Sequence, residues 1–275
     1  MILAPLRGVT IRCFRETFAE AIREAGFDEA VTPFVSANPG VDPMRDRELK
    51  GGPSGALRVT PQFIGKDPDA LRRCLERVKE AGYATADLNC GCPFPMVRRK
   101  GRGSGILRTP DVLDRMLAVG CEVMGPGRFS MKARLGIDCG DELLRLMPIV
   151  NSHPLRFLAV HARTARQMYE GACDWDAVAR IEDASDVPVV RNGDLPLSAK
   201  DGMVGRAFIR AIGERADVGA LLDRYIESSM AELCGERPVI GRLKELISYW
   251  RDIPRWRRLW PVVKMARSVA ELRVW

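Results

Sequence analysis

Eight short apolar segments recur over the first 206 residues, at 2–6, 30–35, 57–64, 84–88, 129–134, 157–161, 187–191 and 202–204. Between them run stretches with apolar residues at helical spacing. Thr10 precedes a run that places Phe14, Phe18, Ala21 and Ile22 on one face and ends at Gly26. Asp67-Pro68 and Thr109-Pro110 each set a capping residue before a proline, the arrangement that opens a helix. Apolar strands alternating with helices call for a parallel sheet covered by helices. Eight such units predict an α/β fold, a (β/α)8 TIM barrel, with an open doubly wound sheet as the alternative. One unit is too short. About ten residues separate 187–191 from 202–204, among them Gly193, Pro196 and Gly202, fewer than a helical crossover needs. The seventh helix is therefore expected to be lost or reduced to a turn.

Beyond Arg206 the pattern stays helical to residue 275. Residues 216–233 align Val218, Leu221, Leu222, Tyr225 and Ile226, residues 240–250 align Leu243, Leu246 and Ile247, and residues 255–272 form one or two helices interrupted at Pro261. The expected boundary falls near 215, giving a barrel over 1–215 and a small helical domain over 216–275. Charge is unevenly placed between them. Residues 237–275 hold ten Lys/Arg and three Asp/Glu, so the whole net charge of +7 resides there, with four of the five Trp. A basic, aromatic-rich segment points to an anionic polymer, nucleic acid before a membrane surface. An Arg-rich solvated helix face with Trp in its core is the plain alternative. No apolar run is long enough for a membrane span, and the start of the chain is too short and uncharged for a signal peptide. Eight cysteines without framework spacing predict reduced thiols in a cytoplasm. A monomer is expected.

In a barrel, reacting groups come from the C-terminal ends of the strands. Here those ends carry Gln62, Asn89, Cys92, Lys132, Arg134, His161, Arg163, Asn192 and Asp194, all expected to face one mouth. Asp87-Leu88-Asn89-Cys90-Gly91-Cys92-Pro93 leads from an apolar strand into a turn, and Lys100-Gly101-Arg102-Gly103-Ser104-Gly105 follows closely. The thiol is either buried structure or a reactive group at the mouth. With an ordinary pKa near 8.5 it is protonated at neutral pH and suits acid chemistry; a nucleophile would want a neighbouring base or cation. A Lys inside a strand, Lys132, needs a partner or an anionic ligand. His161, a lone histidine at a strand end, is in isolation more often a satisfied structural residue than a functional one. Cys90 and Cys92 lack a second ligand pair, so no metal is expected. Asn192-Gly193-Asp194 and Gly205-Arg206 follow the last two strands, where barrels often hold a phosphate.

Taken together these motifs resemble the tRNA-dihydrouridine synthase family of flavoproteins. The resemblance runs from Leu3-Ala4-Pro5-Leu6-Arg7-Gly8-Val9-Thr10 through Gln62-Phe63-Ile64-Gly65, the Cys92 motif with its Lys-Gly-x-Gly follower, and Lys132-Ala133-Arg134-Leu135-Gly136. It continues through Val160-His161-Ala162-Arg163-Thr164, Gln167, Tyr169 and Gly171, and Asn192-Gly193-Asp194 to Asp201-Gly202-Met203-Val204-Gly205-Arg206. It implies an enzyme with FMN in the mouth, reduced by NADPH, that passes hydride to C6 of a tRNA uridine while Cys92 protonates C5. It further implies that Lys132 and His161 contact the isoalloxazine, that Gln62 bonds the ring edge, and that Pro5, Leu6 and Arg7 line it. Asn89 would orient flavin and base, and Asn192, Gly193, Asp194, Gly205 and Arg206 would hold the ribityl phosphate. The uridine must leave its stack to reach the thiol, and the basic tail, with Arg255, Arg257 and Arg258, would contact tRNA phosphates. Leu6, Arg7 and Ile11 depart from the family's usual Met, acidic residue and Asp. The alternatives are a degenerate barrel that binds tRNA without chemistry and a flavin barrel acting on a free pyrimidine.

Overall fold

Ten strand segments build the sheet: β1 (Ile2–Leu3), β2 (Glu29–Val31), β3 (Val35–Ser36), β4 (Arg58–Thr60), β5 (Gln62–Ile64), β6 (Ala86–Cys90), β7 (Phe129–Arg134), β8 (Leu158–His161), β9 (Val189–Asn192) and β10 (Met203–Val204). They are seen in a computed structural model that describes residues 1–53, 55 and 57–275. β2 and β3 are two halves of one stave, and so are β4 and β5. Pro33 and Pro61 stand at the breaks, where a residue without an N–H cannot continue a ladder. β2 pairs with β4 and β3 with β5, while β10 pairs with β9 and β1, all in parallel. Eight staves therefore close into a barrel. The open-sheet alternative fails because no edge is left.

The helices cover the sheet as their apolar stripes require. Asp67 caps helix Pro68–Glu80, its carboxylate accepting from the N–H groups of Asp69 and Ala70 at 3.0 and 3.2 Å, and Leu71, Cys74, Leu75 and Val78 face inward. Thr109 does not cap helix Pro110–Met124. Its hydroxyl turns back to donate to the Ile106 carbonyl at 3.0 Å, closing the preceding 3-10 turn instead. Between β9 and β10 there is no helix. Two turns, closed by Ala199 N–H to Pro196 O at 3.1 Å and Gly202 N–H to Ala199 O at 3.3 Å, span the gap, as its length predicted.

Four helices follow the barrel's last helix, at Val218–Glu232, Glu236–Ser248, Pro254–Met265 and Val269–Leu272. Pro261 lies inside the third without interrupting it, and the chain turns only after Met265. Pro261 is exposed, so the Arg257 carbonyl it leaves without a helical donor faces the solvent side, where the loss is mild. The Trp content of this segment belongs to the core. Trp250 and Trp256 are fully buried and donate their indole N–H groups to Ile209 O at 2.6 Å and Gly213 O at 2.8 Å. Trp250 lies so close to Gly213 that a Cβ there would fall 2.4 Å from its ring. Leu221, Tyr225, Leu243 and both Trp share one apolar cluster with Phe14, Phe18 and Phe208 of the barrel's helices. Arg255, Arg257 and Arg258 remain on the exposed face. Among the described residues no helix is long and apolar enough to cross a membrane.

Candidate active site

The strand ends surround a single cleft that opens to solvent. Pro5, Leu6, Arg7, Gln62, Asn89, Cys92, Lys132, Arg134, His161, Asn192, Gly193, Gly205 and Arg206 line it, with Phe34, Phe94 and Tyr169. Two of the strand-end residues do not. Arg163 points into the wall, where it donates to the carbonyls of Glu170 and Gly171. Asp194 lies outside the lining and pairs with both Arg163 and Arg206. The cause is local: β8 ends at His161, and the Arg163 N–H bonds the His161 carbonyl at 2.7 Å. That tight turn ends the strand alternation that would have put His161 and Arg163 on one face.

Cys92 is only 6% exposed and sits on a turn held from three sides. Asn89 Oδ1 accepts from the N–H groups of Gly91 and Cys92 at 3.2 and 2.9 Å. Ser104 donates to the Cys92 carbonyl through its N–H at 3.1 Å and its hydroxyl at 2.9 Å. Gly103, at φ +57°, packs against Cys92 so closely that a Cβ would fall 2.7 Å from the cysteine's own. This accounts for the glycine-rich stretch downstream of the thiol. Burial pushes the Cys92 pKa up, against opposing pulls from the Phe94 backbone and the charges of Arg7 and Arg134, so the thiol is neutral at pH 7. Cys90, on the outer side of β6, is fully buried in the helix-facing core, and its pKa is driven well above the ordinary value by that burial.

A continuous hydrogen-bond chain runs beneath this turn. Ser130 Oγ and Gln62 Nε2 donate to the two carboxylate oxygens of Asp87, at 2.6 and 2.7 Å. Asn89 Nδ2 donates to Gln62 Oε1 at 2.7 Å. Because a carboxylate only accepts, Asp87 dictates which way the Gln62 amide faces, Gln62 dictates Asn89, and Asn89 offers its oxygen to the Cys92 turn. Burial raises the Asp87 pKa to about 6, opposed by Ser130, Gln62 and the charge of Lys132. Lys132, inward on β7, is pushed down to about 8 by burial and by Arg134, with Asp87 opposing. His161 is held neutral by burial first and then by the charges of Lys132, Arg134, Arg163 and Arg206.

Arg134 braces the mouth, donating to Gly91 O at 3.0 Å, Thr164 O at 2.9 Å and Met168 O at 2.5 Å. Its guanidinium and that of Arg206 lie 5.2 and 5.3 Å from the Tyr169 ring centroid. The opposite wall is formed by the turn at 4–10, which Thr10 ties together: its hydroxyl accepts from Leu6 N–H at 2.8 Å and donates to Ala4 O at 3.1 Å. Beside it helix Arg206–Glu214 begins at Gly205, and a helix N-terminus favours anions. An elongated ligand with a flat hydrogen-bonding ring over Gln62, Asn89 and Lys132 and an anionic end at Gly193, Gly205 and Arg206 fits this donor set. Asp87 and the bracing role of Arg134 were not singled out from sequence. The signal was an Asp inside the apolar run 84–88, which obeys the same rule that marks Lys132: a charge in a strand core must have partners.

A profile of the family described as Dihydrouridine synthase (Dus) matches residues 2–203. The tRNA-dihydrouridine synthase B of Vibrio cholerae is 33% identical over 200 residues, covering 71% of this chain and 60% of that protein. The tRNA-dihydrouridine(16) synthase of Cupriavidus necator is 33% identical over 204 residues, covering 71% of this chain and 62% of that protein. The chain thus spans about 60% of the length of the curated relatives it matches. The old yellow enzyme homologue of Zymomonas mobilis superposes with a TM-score of 0.53 at 11% identity, over 76% of this chain and 85% of that one. Morphinone reductase in complex with tetrahydroNAD superposes with a TM-score of 0.51 at 11% identity, over 76% and 83%. At that identity the likeness is one of fold, and it agrees with the closed barrel. The profile match spans every strand of the barrel but the last residue of β10, and with it the Cys92 turn and the floor beneath: the chain belongs to the dihydrouridine synthase family.

Proposed function

We propose that the protein is an FMN-dependent tRNA-dihydrouridine synthase that reduces the C5–C6 double bond of a tRNA uridine, with NADPH as the electron source. The observation that carries this is a buried, neutral thiol on a rigid turn in the same cleft as Gln62, Asn89, Lys132 and His161. FMN, when bound and reduced, supplies the hydride for C6. Cys92 supplies the proton for C5 from Sγ. The thiolate left behind is stabilised by Arg7 and Arg134, whose charges already oppose the upward shift of the thiol, and takes its next proton from solvent. Lys132 presents a cation where negative charge builds on a reduced ring. Neutral His161 offers a hydrogen bond beside it. Gln62 and Asn89, oriented by Asp87, hold the ring edge and the base.

Pro5, Leu6 and Arg7 wall the ring, and Asn192, Gly193, Gly205 and Arg206 receive the phosphate. Asp194 acts one step back, holding Arg206 in place. Residues 1–215 serve as the catalytic unit, and residues 216–275, through exposed Arg255, Arg257 and Arg258, hold the tRNA. A barrel that binds tRNA without chemistry is disfavoured by the intact Cys92 turn. Purified protein is expected to carry flavin absorbance, alone or after FMN is added, and restoring the gene to a strain lacking it is expected to restore dihydrouridine at one mapped tRNA position. Protein that never takes up FMN, or unchanged tRNA in that strain, overturns the proposal.

A further inference from the structure

We infer that the rim formed by residues 94–102, immediately after the Cys92 turn, is a second RNA-contact surface that grips the strand flanking the extruded uridine. This rests on the tRNA substrate proposed above. Residues 88–110 contain no Asp or Glu and five Arg or Lys. Arg108, at the far end, pairs with Asp138 at 2.9 Å. Among the described residues Arg98, Arg99, Lys100 and Arg102 have no carboxylate partner, although the chain elsewhere pairs most of its arginines, as at Arg72–Glu122 and Arg191–Glu182. The Arg102 Nε is buried and without an acceptor. Lys66 adds a further cation, its side chain lying over Gly101. Uncompensated charge of one sign gathered at the lip of a cleft marks a polyanion site.

The same rim exposes apolar side chains that no core uses. Phe94 is 44% and Met96 80% exposed, and Phe94 also lines the cleft. Cations interleaved with exposed aromatic and thioether groups suit a strand with unstacked bases rather than a duplex, whose base faces are hidden. The rim is also preorganised. Val97 and Arg98 N–H groups bond Phe94 O at 2.9 and 3.0 Å, Gly101 N–H bonds Arg98 O at 2.9 Å, and Ser104 anchors the return to Cys92. Its cations are thus fixed within a few residues of the thiol, whichever way the terminal helices hold the remainder of the RNA.

The test measures binding of an unmodified tRNA transcript to the intact chain, by fluorescence anisotropy across a range of NaCl concentrations. The paired variant Arg99→Ala with Lys100→Ala is expected to bind about tenfold more weakly and to lower the salt slope by about 1.5, the loss of two phosphate contacts. Met96→Ala is expected to weaken binding about threefold with the slope unchanged, because an apolar contact releases no counterions. Exchanging the cations, Arg99→Lys with Lys100→Arg, should preserve the slope. Flavin absorbance should survive in all three. A paired variant that keeps the full affinity and slope of a tRNA-binding wild type overturns the rim alone, whereas a wild type that binds no tRNA overturns the proposed substrate. Loss of adsorption to phosphatidylglycerol vesicles with tRNA affinity intact would assign the rim to a lipid surface instead.

Discussion

The two sides of the barrel are built differently. On one side the ladders are long: Ala86 to Cys90 pair with Phe129 to Ala133, and Met131 to Arg134 with Leu158 to His161. That side has its own apolar cluster, supplied by helices Pro68–Glu80 and Pro110–Met124. On the other side β1 meets β10 only through Ile2–Met203 and Leu3–Val204, and β10 meets β9 only through Met203–Asn192. Its apolar cluster is shared with the terminal helices. The first side carries the proposed acid and the ring-binding floor, and the second carries the proposed phosphate end. The contrast teaches that the terminal helices, proposed above as a surface for RNA, also complete the apolar core on the barrel's weaker side. They pack on helices Arg12–Thr17 and Arg206–Glu214, which flank the two-residue strands β1 and β10 in the chain.

Four experiments press on this contrast. The largest effect is expected from Cys92→Ala, on the self-sufficient side: dihydrouridine formation should fall by about 10²- to 10⁴-fold, the usual worth of a positioned acid, with flavin content and melting temperature nearly unchanged. Full activity in that variant removes the proton role. Trp250→Ala, on the dependent side, should cost about 3–5 kcal/mol in denaturant unfolding, because a buried ring is lost from a site whose neighbour, Gly213, cannot fill it. Amide exchange should then rise first around β1, β10 and helix Arg206–Glu214 and last around β6–β8. A uniform rise would mean that the two sides are one cooperative unit.

Asp87→Asn tests the floor. An amide in place of the carboxylate gives Gln62 Nε2 or Ser130 Oγ a donor to face, so the amide orientations beneath the Cys92 turn lose their single reference. Turnover is expected to fall about tenfold, corresponding to the lower end of a charged hydrogen bond's worth, with a smaller effect from Ser130→Ala. Equal losses in the two variants would reduce Asp87 to packing. The smallest effect is that of pH. Below about 6 Asp87 gains a proton and stops acting as a pure acceptor, and above about 8 Lys132 loses its charge, so turnover should be bell-shaped between them. Lys132→Arg should move the alkaline limb upward; a limb that stays in place belongs to another group.

Much of this was legible in the chain because it depends on short-range chemistry. An apolar run bounded by turn residues is a strand wherever it is placed, and the ten residues before β10 cannot span a crossover as a helix. The polar residue that ends such a run stands at the barrel mouth, which is why Gln62, Asn89, Cys92, Lys132, His161 and Asn192 line one cleft as expected. Where the expectation failed, long-range geometry intervened. Arg163 left the mouth because a single turn after β8 rotated the backbone. Trp250 and Trp256, which the sequence left open between a nucleic-acid surface and a core, took the core place, because carbonyls of the barrel's last helix accept their indole N–H groups. Thr109 donates its hydroxyl back to the Ile106 carbonyl and accepts nothing from the helix it precedes.

The sequence alone therefore determined the barrel, its short seventh unit, and the thiol at the end of the fourth stave, since all three follow from local pattern and chain length. Only the tertiary structure decided what keeps that thiol still and neutral. The carboxylate of Asp87 and the amide of Asn89 come from one stave, the amide of Gln62 from its neighbour on one side, and Arg134 from its neighbour on the other. Tertiary structure likewise decided that the terminal helices share the apolar core on the weak side of the barrel. Hydrogen bonds and apolar contacts between residues distant in the chain carry no periodicity along it, so they become readable only when closure of the sheet brings them together.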